Sequence, residues 1–112
     1  MRPRLLIRAA AERDLRSIAD YLAVRSVTAA LRFGEAADKA FAQLLDFPHS
    51  GARLMLANPR LVGLRAWHIT GFRQYRIFDL PTSERIEILR VLHGARDLEG
   101  ILGSTGDDDA SE

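Results

Sequence analysis

The sequence predicts an α+β domain. An N-terminal strand leads into an antiparallel helical hairpin. The hairpin packs on a curved, mainly antiparallel β-sheet, and a short C-terminal helical turn closes the chain. Three observations predict this. Two stretches before Pro48 carry apolar residues at helical spacing. Three stretches after Gly63 are rich in branched and aromatic residues and are parted by the turn signals Thr70-Gly71 and Pro81-Thr82-Ser83. The order, helices first and strands after, puts the helices on one sheet face.

Each element follows from local chemistry. Residues 4–8, Arg-Leu-Leu-Ile-Arg, are too few for a helix and read as a strand. A helix is expected from about Ala11, with Leu15, Ile18, Ala19 and Leu22 on one face and Glu12 and Asp14 at the positive end of its dipole. Ser26 and Thr28 offer N-cap oxygens for a second helix. That helix buries Phe33, Ala37, Ala40, Phe41 and Leu44, and Pro48 stops it. Residues 49–63 read as a loop with an edge-strand fragment at 54–56. Strands are expected at 64–69, 72–80 and 84–93. The last is apolar on both faces in its second half, as a central strand would be. A helical turn is expected over 96–102. The domain is placed at 1–103, followed by an acidic, flexible tail at 104–112.

Length and composition exclude several classes. At 112 residues the chain makes one domain. It has no Cys, which removes disulfide scaffolds, thiolate metal sites and Cys nucleophiles and fits a cytoplasmic setting. No apolar run approaches the ~20 residues that cross a bilayer. The net charge of +1 hides an asymmetry: residues 1–103 carry +5 and residues 104–112 carry −4. Fifteen of the sixteen basic residues are Arg, and residues 47–78 hold five of them with no acid. A basic body of this kind suits an anionic partner, or is a solvated surface.

His49, His68 and His93 show no ligand spacing, and the serines form no nucleophile elbow, so neither a metal nor a cofactor is expected. The arginines of the sheet remain. Arg65, Arg73, Arg76 and Arg96 each offer a planar fork for phosphate or carboxylate, and Arg65 and Arg76 are expected to be exposed. Arg90 interrupts an apolar strand and needs a partner. The expectation is a lock at the chain end made of Arg90, Arg96 and Asp97.

Four pieces in order carry a family resemblance: Ala11-x2-Asp14-Leu15-x2-Ile18-x2-Tyr21, Ala40-x3-Leu44-x3-Pro48-x2-Gly51, Gly71-Phe72-Arg73-x-Tyr75-x-Ile77-Phe78, and Ile86 through Asp97. Together they resemble the RelE/ParE superfamily of toxins from bacterial type II toxin–antitoxin systems, the ParE branch above all, over about residues 4–102. The resemblance implies a cytoplasmic toxin of a plasmid-stabilization type, neutralised by a ParD-like antitoxin whose C-terminal part wraps it. For the ParE branch it implies DNA gyrase as the target, with no membrane and no sequence-specific nucleic acid involved. The alternative is the RelE-like reading, a ribosome-dependent mRNA endonuclease.

The residues favour the first reading. Arg73 and Arg96 fall where the nuclease branch has Arg, but the preceding strand holds no Lys and no Tyr follows Arg96. Cleavage by a 2′-hydroxyl needs a base and an acid, and Arg stays protonated. His68 or His93 could supply one group, and His93 is read as structural. The chain is therefore expected to act by binding rather than by catalysis. The expected partner-binding residues are Arg65, Trp67, Arg73, Tyr75, Arg76 and Arg96, Trp67 being more often core than interface.

Overall fold

The computed structural model describes residues 3–94 and Ile101. Strand β1 (Arg4–Ile7) precedes helices α1 (Ala9–Arg25) and α2 (Val27–Asp46). A two-residue strand β2 (Ala52–Arg53) and a short 3-10 helix (Pro59–Leu61) follow, then β3 (Arg65–Ile69), β4 (Phe72–Pro81) and β5 (Arg85–His93). The five strands form one mixed sheet in the order β1-β5-β4-β3-β2. Only β1 runs parallel to its neighbour, pairing Arg4–Ile7 with Arg85–Ile88. This is the α+β architecture the sequence predicts.

Ser26 links the two helices. Its backbone N–H donates to Leu22 O at 2.8 Å, ending α1, and its Oγ accepts from the Ala29 N–H at 3.1 Å, starting α2. One residue thus closes one helix and caps the next, and the hairpin turns tightly. Phe33, Ala37, Ala40, Phe41 and Leu44 are all buried, as their spacing predicts. Leu15, Ile18 and Leu22 of α1 pack half-buried beside them, and α1 starts two residues earlier than expected, at Ala9.

The sheet is covered on both faces. The helices cover one with an inner cluster that includes Ile69, Tyr75, Ile77, Ile88 and Val91. Leu61, Leu64, Ala66, Phe78, Leu89 and Leu92 form a second cluster on the other face, joined by Leu54, Leu56, Leu80 and Ile101. This is why β5 is apolar on both sides. It lies between β1 and β4, inside the sheet, with β4 in the middle position. The expected edge strand at 54–56 is instead at 52–53. Leu54 and Leu56 turn inward to cover the outer cluster, and Ala52 and Arg53 take the pairing with Ala66 and Arg65. Gly51 lets the loop approach the sheet closely, since a Cβ there would crowd Ala66 O at 3.0 Å. Of the helical turn expected over 96–102 only Ile101 is described, and it is helical. The tail at 104–112 lies outside the described residues.

Arg90 is held by a partner that the sequence reading did not name. Its partner is Asp14 of α1: Nε donates to Oδ2 at 2.6 Å and Nη2 to Oδ1 at 2.8 Å. Two features create the contact. Phe78 pairs with Arg90 and Asp79 with Ile88, so Leu89 is the extra residue of a bulge. Strand β1 ends opposite Ile88, and no strand among the described residues pairs with the rest of β5 on that side. The Val91 N–H there donates to Asp14 Oδ2 at 3.0 Å, so a carboxylate serves where a strand carbonyl would. Arg96 and Asp97, the other members of the expected lock, lie outside the described residues.

Candidate partner-binding surface

The expected binding residues do not share one surface. Arg65 stands at the start of β3 and clips the preceding loop. Its Nη1 donates to His49 O at 3.1 Å and to Gly51 O at 2.7 Å, leaving it half-buried rather than exposed. Trp67 packs half-buried against the inner cluster. Its indole N–H is buried and has no hydrogen-bond partner among the described residues. Tyr75 is only 4% exposed and belongs to the same cluster. Arg76 is half-buried, not exposed, on the other side of β4. Its guanidinium lies 5.1 Å from the Phe78 ring centre, and Nη2 donates to Gly94 O at 3.4 Å. Arg73 is exposed at the start of β4. Arg96 lies outside the described residues. Strand alternation explains the split, since Tyr75 and Arg76 are adjacent and point to opposite faces.

Tyr75 reaches a site the sequence did not reveal. Its ring meets Phe33 and His93 edge-on, with centres 5.4 and 5.2 Å apart. With Ser17, Ile18 and Tyr21 of α1, Tyr75 and His93 line an open cleft of about 310 Å³. A second hollow of about 210 Å³ continues past Asp14 and Arg90. Arg25 lies 4.3 Å above the Tyr21 ring centre and holds that ring at the rim. Burial pushes the Tyr75 hydroxyl pKa up, Tyr21 adds to the rise, and Arg25 pulls it back. The phenol therefore stays protonated and offers a donor inside an aromatic wall. His93, read from sequence as structural, is exposed and forms part of that wall. Ser17 and Tyr21, four residues apart on a helix, were the available signal. Nothing local joins them to β4 and β5.

The outer face carries a different arrangement. His68 pairs in register with Arg76 across β3 and β4. Its Nδ1 lies 2.8 Å from Arg73 O. A carbonyl only accepts, so Nδ1 carries the proton, and in the neutral ring Nε2 keeps its lone pair. An imidazole of fixed orientation thus sits between two arginine-bearing positions of β4.

Asp79 is another residue the sequence reading missed. It is fully buried, opposite Arg65 in register, and neither carboxylate oxygen has a hydrogen-bond partner among the described residues. Burial raises its pKa to about 7, against a partial opposing pull from Arg65. Arg65 faces it across the strands but has turned its guanidinium to the His49 and Gly51 carbonyls.

The described residues thus form a helical hairpin on one face of a small mixed sheet, with open clefts beside the hairpin. The same fold is found in a solved chain of the chromosomal ParDE TA system from P. aeruginosa, with a TM-score of 0.68 and 20% sequence identity over 83% of this chain and 97% of that one. The sequence itself matches the family described as the ParE toxin of type II toxin-antitoxin system, parDE, over residues 5–98. The chain belongs to this family. No sequence of a characterised protein matches it significantly.

Proposed function

We propose that this protein is a growth-arresting toxin that acts on DNA gyrase by binding it, and that a ParD-like antitoxin made beside it in the cytoplasm neutralises it. The observation that carries the reading is the family match across residues 5–98. Two features support action by contact. Arg65, the one arginine of β3, is spent on the His49 and Gly51 carbonyls and is not presented to a phosphate. The aromatic cleft of Tyr21, Tyr75 and His93 suits a side chain of a protein partner, because a pocket of rings with a few polar tips anchors such contacts. No helix among the described residues is long and apolar enough to cross a membrane.

The test is supercoiling by purified gyrase with increasing amounts of the toxin. Inhibition is expected, and it should be relieved by the protein encoded next to this one. Unaltered supercoiling at large toxin excess removes gyrase as the target. One observation favours a second reading, ribosome-dependent mRNA cleavage. His68 is held with Nε2 available as a base beside Arg73 and Arg76. Primer extension on a translated message separates the two: cuts that vanish in His68→Gln would establish cleavage, and an intact message leaves gyrase.

A further inference from the structure

The face of the sheet opposite the helices is cationic. Arg76 lies on it, its guanidinium 5.1 Å from the ring centre of Phe78 in the outer cluster, and is paired with no carboxylate among the described residues. Arg60 is exposed next to Leu61, which is buried in the same cluster. Glu87 belongs to this face as well, opposite Leu80 in register, but Arg8 and Arg85 already hold it at 3.2 and 3.3 Å. The 32 residues from 47 to 78, which include all of β3 and most of β4, contain five arginines and no acid. Ile101 packs on the outer cluster too, so the chain leaves the fold on this cationic face and not on the helical side. Eleven residues follow Ile101. Asp107, Asp108, Asp109 and Glu112 give them a charge of −4, with no cation among them. They lie outside the residues that match the family.

We propose that the acidic stretch 107–112 docks on the outer face of its own sheet, pairing with Arg76 and Arg60, and shields that face from other anions. Three features select this occupant. The charges are complementary, a body of +5 facing a stretch of −4. The tether is right: the spacer from Ile101 to Asp107 contains Gly103, Ser104 and Gly106, and a spacer of that composition and length spans about 13 Å on average and at most about 20 Å. Attachment at Ile101 also holds the acids at an effective concentration of about a millimolar. Exposed ion pairs too weak to join two separate molecules therefore form within one chain. The cations of α2, Arg32 and Lys39, lie on the other side of the sheet from Ile101 and are not the site. The assignment is independent of what the toxin attacks.

The chain has no cysteine of its own, so Ser111→Cys in the full chain takes a single nitroxide label. At low salt the label should broaden the amide signals of Arg60, His68 and Arg76 and leave those of Arg32 and Lys39 sharp. High salt should restore the broadened signals, because screening separates exposed charges. Arg60→Gln with Arg76→Gln should restore them at low salt, and thermal melting within a few degrees of the parent shows that the fold is kept. Broadening that is absent, or spread evenly over both faces, overturns the assignment. So does broadening that passes only between separate copies, read by mixing nitroxide-labelled chains with isotope-enriched chains that carry no nitroxide. Shielding is measured with a short single-stranded RNA as the polyanion probe. The full chain with Asp107→Asn, Asp108→Asn, Asp109→Asn and Glu112→Gln should bind it about tenfold more tightly than the parent at low salt. With Arg60→Gln and Arg76→Gln also present, the same four changes should gain only about twofold, the share owed to net charge. Equal gains in the two backgrounds, or none in either, overturn the shielding.

Discussion

Asp79 shows how a single buried acid ties stability to pH. The folded chain holds its proton up to about pH 7, while an unfolded aspartate releases it near 3.8. Below 3.8 both states are protonated and the group is neutral to stability. Between 3.8 and about 7 the unfolded state gives up the proton and the folded state keeps it, so stability falls as pH rises through that window and then levels off. Asparagine has nearly the same shape and cannot ionise. Asp79→Asn should therefore match the parent near pH 4 and exceed it at pH 8 by ~2–4 kcal/mol. Urea unfolding of both proteins at the two pH values measures this, and a constant difference between them would refute it. Sequence reading passed over Asp79 because an acid at the end of a strand normally reaches water. Its burial depends on the cross-strand residues Arg65 and Ile88, distant from it in the chain.

At the scale of elements, a polar cluster around Asp14 fastens the hairpin to the sheet. Asp14 takes three hydrogen bonds, two from the Arg90 guanidinium and one from the Val91 amide, and so fastens α1 to the stretch of β5 past Ile88. Both side chains are largely shielded, at 22% and 14% exposure, so removing one leaves the other charge poorly hydrated. Asp14→Ala should cost ~3 kcal/mol, whereas Asp14→Leu combined with Arg90→Met should cost much less than the two single changes together. A thermal-denaturation cycle over the four proteins gives the coupling, and simple additivity would show the pair to be independent. Of the two acids read as complementing the helix dipole, only Glu12 stands in the first turn, because α1 starts at Ala9 and places Asp14 a turn further on. The need of Arg90 for a partner was legible in the sequence. The identity of that partner was not, because the bulge at Leu89 and the early end of β1 are properties of the assembled sheet.

Over the whole molecule, burial of both sheet faces is what makes so small a chain hold together. The helices supply one cover. The loop between β2 and β3 supplies the other, with Ile101 returning from beyond β5 to complete it. Ile101→Ala should destabilise the protein by ~1–2 kcal/mol, at the low end of the range for aliphatic truncation because the side chain is only half-buried. Chemical denaturation reads this directly, and an unchanged midpoint would mean that the outer cluster closes without it. The two grooves flanking the hairpin follow from the same layering. A hairpin narrower than the sheet beneath it leaves a strip uncovered along each side, lined on the left by Tyr75 and His93 and on the right by Phe72 and Thr70.

The sequence by itself determined the helices, their buried faces, the three long strands and the family, because these rest on local periodicity, turn chemistry and motifs written within a few residues of one another. Helix α2 is the clearest case, its five predicted core residues all being buried. Tertiary structure alone decided which distant residues meet. It set β1 parallel to β5, gave Arg90 to Asp14, turned Arg65 toward the loop carbonyls, and brought Tyr21 to Tyr75 and His93. Contacts of that kind depend on strand order, register and one bulge. Those are settled by competition among whole-chain packings, and no short stretch of sequence encodes them.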